Sequence, residues 1–319
     1  MKSLSQLQDF FYENIYPDLE LLENKRKEIF SYLKTLAFVL VVLSFIAFSI
    51  LKDIVLNISD LFAFCLAIPV GIFVLVYKHK VSGFVLDYKD QIIEKLVSFV
   101  EPSLFYEKNS SITKYEYDSS FLFPAHVDRY SGDDKIEGKV DGVNIKFSEL
   151  HTQKKKKTSK GQTYYEDIFR GLFFIADFNK HFLSKTVVFP DKTQRYLGFM
   201  SEFFQSFSGH GELVKLDNPE FEREFVVYTS DQIEARYILS HSLMENILKL
   251  KKIVKKDISL SFYGSKVYIA LHFNMAIFEP HIYKKVANFD AIKSYFETIN
   301  LIVQIVKVLN LDMKIWSKK

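Results

Sequence analysis

The run Thr35–Leu51, TLAFVLVVLSFIAFSIL, and the run Leu61–Tyr77, LFAFCLAIPVGIFVLVY, decide how this chain folds. Each has 17 residues and no charge, the first bounded by Lys34 and Lys52, the second by Asp60 and Lys78. At about 1.5 Å per residue each makes a helix of about 26 Å, slightly short of a ~30 Å hydrocarbon core. Snorkelling of the flanking lysines closes that gap. Neither run offers a polar face, as a buried helix at the edge of a soluble core would. Pro69 and Gly71 are tolerated in membrane helices and can kink the second one. The expectation is a transmembrane helical hairpin over residues 34–79.

Working outward, Lys25, Arg26, Lys27 and Lys34 precede the first run, and Lys78 and Lys80 follow the second. The loop between them carries only Lys52, beside Asp53 and Asp60. The positive-inside rule therefore puts both termini in the cytoplasm, in a multi-pass protein of the inner membrane. More than thirty residues, including Glu20 and Glu23, precede the first run, which does not fit a cleaved signal peptide. Neither run contains Asp, Glu, Lys, Arg or His, which argues against a transporter subunit.

Before the hairpin, residues 1–33 read as an amphipathic helical segment. Leu4, Leu7, Phe11, Ile15, Leu19 and Leu22 recur at helical steps and continue to Ile29 and Leu33, with Pro17 expected to interrupt the segment and to sit in the first turn of a second helix. Such a stripe needs cover. It packs on the chain's own domain, on a second copy, or on a partner helix. After the hairpin, residues 80–103 read as a juxtamembrane helix ending at Glu101-Pro102.

Residues 104–319 read as a cytoplasmic α+β domain of mainly antiparallel sheet with flanking helices. Lys135–Ser148 alternates about Asp141-Gly142, a strong hairpin signal. Further strands are expected at Gly171–Phe178, Thr186–Phe189, Glu212–Leu216 and Phe225–Tyr228. Another hairpin is expected over Ile258–Tyr263 and Lys266–Phe273, turning at Gly264-Ser265. Helices are expected at Gln194–Gln205, Gln232–Leu239, Leu243–Val254 and Ala291–Leu309.

With 48% hydrophobic residues and 16% aromatics the chain is not disordered, and a net charge of +3 marks no nucleic-acid binder. The single Cys65 forms no internal disulfide and no Cys-rich zinc site.

Chemistry-bearing clusters have structural readings. Asp231 and Glu234 fit a helix capping box. His126, Asp128, Asp133 and Asp134 lie in a polar loop without the calcium-loop pattern. In a strand, Ser148 and His151 of Ser-Glu-Leu-His face opposite sides, so they form no nucleophile–base pair. Phosphate-binding glycine motifs are absent. No catalytic residue, cofactor or metal is expected. Asp177 and His181, at the end of an apolar strand, are the candidate pocket. Lys154, Lys155, Lys156 and Lys157, with Lys160, read as a solvated loop able to contact anionic lipid headgroups.

The stretches Phe169–Phe173, Asp177–Lys180 and Thr186–Asp191 resemble a bacterial family known as domain of unknown function 3137. So do Glu212–Tyr237, above all Asp231–Tyr237, and Leu309–Trp316, although Met313-Lys314 departs from a Thr-Arg pair. The resemblance extends from Phe84 to Lys319. It implies two N-terminal spans, a cytoplasmic domain and association with the LemA-like membrane proteins. It implies no activity.

The functional expectation is a membrane-anchored adaptor or scaffold. It would bind another membrane protein, or itself as a homo-oligomer, in addition to the lipid bilayer. The alternative is an enzyme or small-ligand sensor with a pocket near Asp177, His181, Asp128 or Glu149.

Overall fold

The computed structural model describes residues 2–54, 58–191, 211–273, 277–309 and 311. They fall into two compact units, one made of Lys2–Leu96 with Phe278–Tyr295, the other of Val97–Ile277 with Phe296–Lys319.

In the helical unit, Ser3 starts the chain's first helix with a capping box: its hydroxyl accepts the Gln6 N–H at 3.2 Å, and the Gln6 carboxamide oxygen accepts the Ser3 N–H at 2.9 Å. Helix α1 (Leu4–Phe10) passes through one wide π turn (Phe11–Ile15) into α2 (Tyr16–Leu51) without a break. Pro17 sits in the first turn of α2 as expected, and the interruption is a π turn and not a gap between helices. The π turn just before Pro17 relieves the clash of the proline ring with the carbonyl four residues back. Helix α3 (Ile58–Tyr88) continues through a second π turn (Lys89–Ile93) into α4 (Glu94–Val100), where the helix stops at Glu101-Pro102 as expected.

The amphipathic stripe is covered by its own unit. Leu7, Phe11, Ile15, Leu19, Leu22 and Leu33 are buried, and only Leu4 is half exposed. Ion pairs of Lys25 with Asp87 and Lys95 with Asp18 join the two long helices. The distant segment 278–295 adds to the cover. Phe289 meets Phe11 edge to face at 5.1 Å, and Phe278, Ile282 and Val286 are buried. A partner helix is therefore not needed to bury the candidate residues Leu7 through Leu22, a correction to that reading.

The apolar runs behave oppositely. Only 6% of the most apolar 18 residues of each helix is buried, with Phe38, Phe45 and Leu75 among the most exposed side chains. Length and composition suffice for each helix to cross a membrane.

The second unit is α+β. Its seven described strands are β1 (Leu104–Glu107), β2 (Arg129–Val140), β3 (Val143–Lys157), β4 (Thr163–Pro190), β5 (Glu212–Val214), β6 (Phe225–Thr229) and β7 (Ile258–His272), all antiparallel. They are ordered β1-β2-β3-β4-β6-β5, with β7 on the other edge of β4. Strand β4 is the spine: β3 and then β6 share one of its edges while β7 runs along the other.

The β2–β3 hairpin turns at Asp141-Gly142, both at positive φ (48° and 85°), with Val140 opposite Val143. The hairpin expected at Gly264-Ser265 is a correction. Residues 258–272 form one continuous strand, because both flanks of Gly264 pair with β4 in the same direction. The positive φ of Gly264 (60°) accommodates a bulge opposite Phe182. Likewise the two strands expected within 171–189 are one strand, β4.

Helices α5 (Lys114–Asp118), α6 (Pro219–Glu224), α7 (Gln232–Ile238), α8 (His241–Val254) and α9 (Phe289–Val308) complete the described elements, α9 running from one unit into the other. The helix expected at Gln194–Gln205 lies outside the described residues. On one face of the sheet, Ile112, Tyr117, Leu122 and Phe123 pack with Leu150, Phe173, Ile175, Tyr268 and Ala270. Tyr117 holds this cluster by ring contacts at 5.3 Å to Phe173 and 5.4 Å to Phe123.

Candidate functional site

Strand register builds an open cleft where the cover given by residues 112–127 ends. The tight Asp141-Gly142 turn sets Lys139 opposite Asn144 and Glu137 opposite Lys146. Pairing of Ile145 with Ala176 brings Asn144 beside Asp177, and Asp177 stands opposite Lys266. Lys139, Asn144, Asp177 and Lys266 thus form one polar row across four strands. The next row on that face is Phe105, Glu137, Lys146 and Ile175. Glu116 of α5 closes one side, and the cleft measures about 660 Å³.

Its charges are unevenly satisfied. Lys146 Nζ lies 2.9 Å from Glu116 and 3.6 Å from Glu137. Burial pushes the Glu116 carboxyl up, but hydrogen bonds from Lys146 and Thr113 outweigh it and hold the group below its ordinary value. Asp177 accepts a hydrogen bond from the Asn144 side-chain amide at 2.6 Å. Among the described residues, Lys139 and Lys266 form no ion pair. The cleft thus joins two lysines without ion pairs among the described residues, an exposed Phe105 and the apolar Ile145, Ile175 and Ala176.

Other sequence candidates disperse. His181 is not among the residues that line the cleft with Asp177, and its Nδ1 lies 3.1 Å from the Ser265 hydroxyl. Asp231 caps α7, accepting the Ile233 and Glu234 N–H groups at 2.8 and 3.1 Å. Glu234 does not complete a capping box, a correction: it accepts N–H groups of Leu183 and Ser184 in β4. Asp128 accepts the Lys155 N–H at 2.7 Å, and Asp134 is buried with the Tyr106 hydroxyl upon it. Ser148 is buried and accepts the Ile112 N–H at 3.0 Å. His151 faces the other way, toward Asp167 at 2.7 Å, and holds that carboxyl below its usual range against the effect of burial.

Glu149 accepts the Ile277 N–H at 2.7 Å and lines, with Asp133, His151 and Arg170, a smaller hollow of about 340 Å³. No group of three or more His, Cys, Asp and Glu converges as a metal site among the described residues.

Lys154–Lys157 form strand, not loop, in a hairpin with Thr163–Glu166, because Thr158 and Gln162 close a tight turn. Lys156 pairs with Glu166 at 2.5 Å, whereas Lys155 and Lys157 are exposed.

Sequence reasoning named Asp177 but missed Lys139, Asn144, Lys146 and Lys266. The two pairs across the Asp141-Gly142 turn were available from the hairpin register. The β3–β4 and β4–β7 pairings were not.

Residues 167–311 match the model of a family described as Protein of unknown function (DUF3137). The matched stretch holds all but the first four residues of β4 and all of β5 to β7, and so Asp177 and Lys266 of the cleft, while Lys139, Asn144 and Lys146 precede it. The match is narrower than the Phe84–Lys319 span expected from the sequence. No curated protein matches the chain. One solved structure, the crystal structure of the mycobacterial trehalose monomycolate transport factor A, TtfA, is similar at 8% identity and a TM-score of 0.31. It covers 68% of this chain and 96% of that one, a likeness too remote to bear on fold or function.

Proposed function

We propose that this protein is a membrane-anchored adaptor whose sheet domain binds other membrane-associated proteins. One observation carries the reading: two adjacent helices bury only 6% of their most apolar 18-residue stretches, while most apolar side chains of the other described elements are buried. A contiguous exposed patch of this size is stable only against lipid or protein. Lysine placement at the helix ends supports an orientation with both termini in the cytoplasm and the loop near Lys52 on the far side.

Tethering is the mechanism. A domain confined to a thin layer under a membrane meets membrane partners at a raised effective concentration. The partner is a second membrane protein or another copy of this chain. Carbonate washing of native membranes tests the anchor: the chain stays in the pellet, and its release overturns the reading. In-membrane crosslinking then tests the adaptor role, which fails if no protein neighbour is captured reproducibly.

The cleft supports a second reading, a ligand sensor. Lys139 and Lys266 flank the Asn144–Asp177 hydrogen bond without carboxylate partners of their own among the described residues, as a pair waiting for an anionic group would. Lys139→Ala and Lys266→Ala each weaken binding of such a ligand while leaving crosslinked neighbours unchanged. Loss of the neighbours instead makes the cleft a protein-binding surface.

A further inference from the structure

Within the helical unit, the loop Pro280–Lys285 is held beside the inner ends of both apolar runs, although some two hundred residues separate it from them in sequence. Two contacts clip it. Arg26 donates to the Ile282 carbonyl at 2.8 Å, and the Val286 N–H donates to Glu23 at 3.0 Å. Arg26 and Glu23 are themselves paired at 2.7 Å and mostly buried, so the clip is rigid. Ile282 and Val286 point inward, which forces the intervening Tyr283, Lys284 and Lys285 outward, where all three are exposed.

Two ring contacts fix the height of this protrusion. Tyr283 stacks on Tyr77, the last residue of the second apolar run, at 6.4 Å and 18°. It also meets Phe30, just over one turn before the first run, edge to face at 5.9 Å. At that level Lys34, Lys78 and Lys80 are exposed too, and with Lys284 and Lys285 they form no ion pair among the described residues. Aromatic rings with lysines at the end of an apolar span are the composition of a membrane–water interface.

We infer that the loop Tyr283–Lys285 is a second membrane contact, a basic and aromatic patch that binds anionic phospholipid headgroups beside the hairpin. This rests on the membrane reading above and adds to it. The helical unit then meets the bilayer surface at a loop as well as through its spans. The tract Lys154–Lys157 belongs to the other unit.

The full-length chain with Cys65→Ser is given one labelled cysteine at Lys284→Cys, Lys78→Cys or Ser5→Cys and reconstituted in vesicles containing a headgroup-nitroxide lipid. Residue 5 lies about 45 Å along the helix from the first run and reports water. Quenching at residue 284 is expected to match that at 78 and to exceed that at 5 severalfold. Quenching at 284 as weak as at 5, with strong quenching at 78 and a carbonate-resistant chain, overturns the inference alone. Release by carbonate overturns both readings.

Lys284→Gln with Lys285→Gln is expected to lower the preference for co-purified phosphatidylglycerol over phosphatidylcholine by about fivefold per lysine. An unchanged preference shows that the lysines face something other than headgroups and overturns the assignment.

Discussion

Glu234 accepts the backbone N–H of Ser184 at 2.6 Å and the hydroxyl of the same residue, and it takes the Leu183 N–H at 3.0 Å as well. These donors sit where β4 and β7 lose register around Phe182 and Gly264, so the carboxylate supplies the acceptors that the ladder there does not. A residue that sequence spacing assigns to its own helix cap instead fixes a bulge in the central strand.

Glu234→Ala is therefore expected to cost about 2–3 kcal/mol, since it strands donors bonded to a charged acceptor. Glu234→Gln keeps one acceptor and loses roughly half as much. Denaturant unfolding of the solubilised chain measures both. Equal, negligible losses would show that water replaces the carboxylate.

The Glu23–Arg26 clip makes the helical unit acid-sensitive. The hydrogen bond from Arg26 lowers the Glu23 carboxyl, burial opposes it, and the Val286 N–H lowers it further, with a net fall. A carboxyl depressed in the folded state stabilises that state above its unfolded value of about 4.3, and the contribution is lost as pH falls through the lower, folded value. Thermal stability of the wild type should thus drop on acidification below about pH 4 more steeply than that of Glu23→Gln, which is less stable at pH 7. Parallel pH curves would count against the clip.

Gly171 and Gly142 test two different demands on glycine. At Gly171 a Cβ would fall 2.0 Å from the Leu271 carbonyl oxygen and 2.8 Å from the Phe273 nitrogen, both backbone atoms that cannot swing away. At Gly142 a Cβ meets nothing within 4 Å, and only its positive φ of 85° opposes a side chain. Gly142→Ala is expected to cost about 1 kcal/mol. Gly171→Ala costs several times that, or prevents folding, because it splits β4 from β7. Comparing folded yield and unfolding midpoints of the two variants decides it.

Ser148 is an acceptor for a buried amide and not a nucleophile. Ser148→Ala removes the partner of the Ile112 N–H and is expected to destabilise the chain by about 1–3 kcal/mol. A serine-directed fluorophosphonate probe should label the wild type no more than this variant. Labelling that depends on Ser148 would reverse the assignment.

What the sequence determined by itself lies in short-range pattern. Two uncharged runs of 17 residues, a stripe at helical spacing before them, Asp-Gly between alternating strands, and Asp231 ahead of α7 each act within one element, where periodicity and capping are complete arguments. Only the tertiary structure decided what covers the stripe, that 258–272 is one strand, that Glu234 reaches β4, and that Asp177 joins Lys139, Asn144 and Lys266 instead of His181. The reason is physical. Strand register and the packing of residues hundreds of positions apart depend on the summed fit of whole surfaces, and no local spacing encodes which of several compatible alignments buries the most.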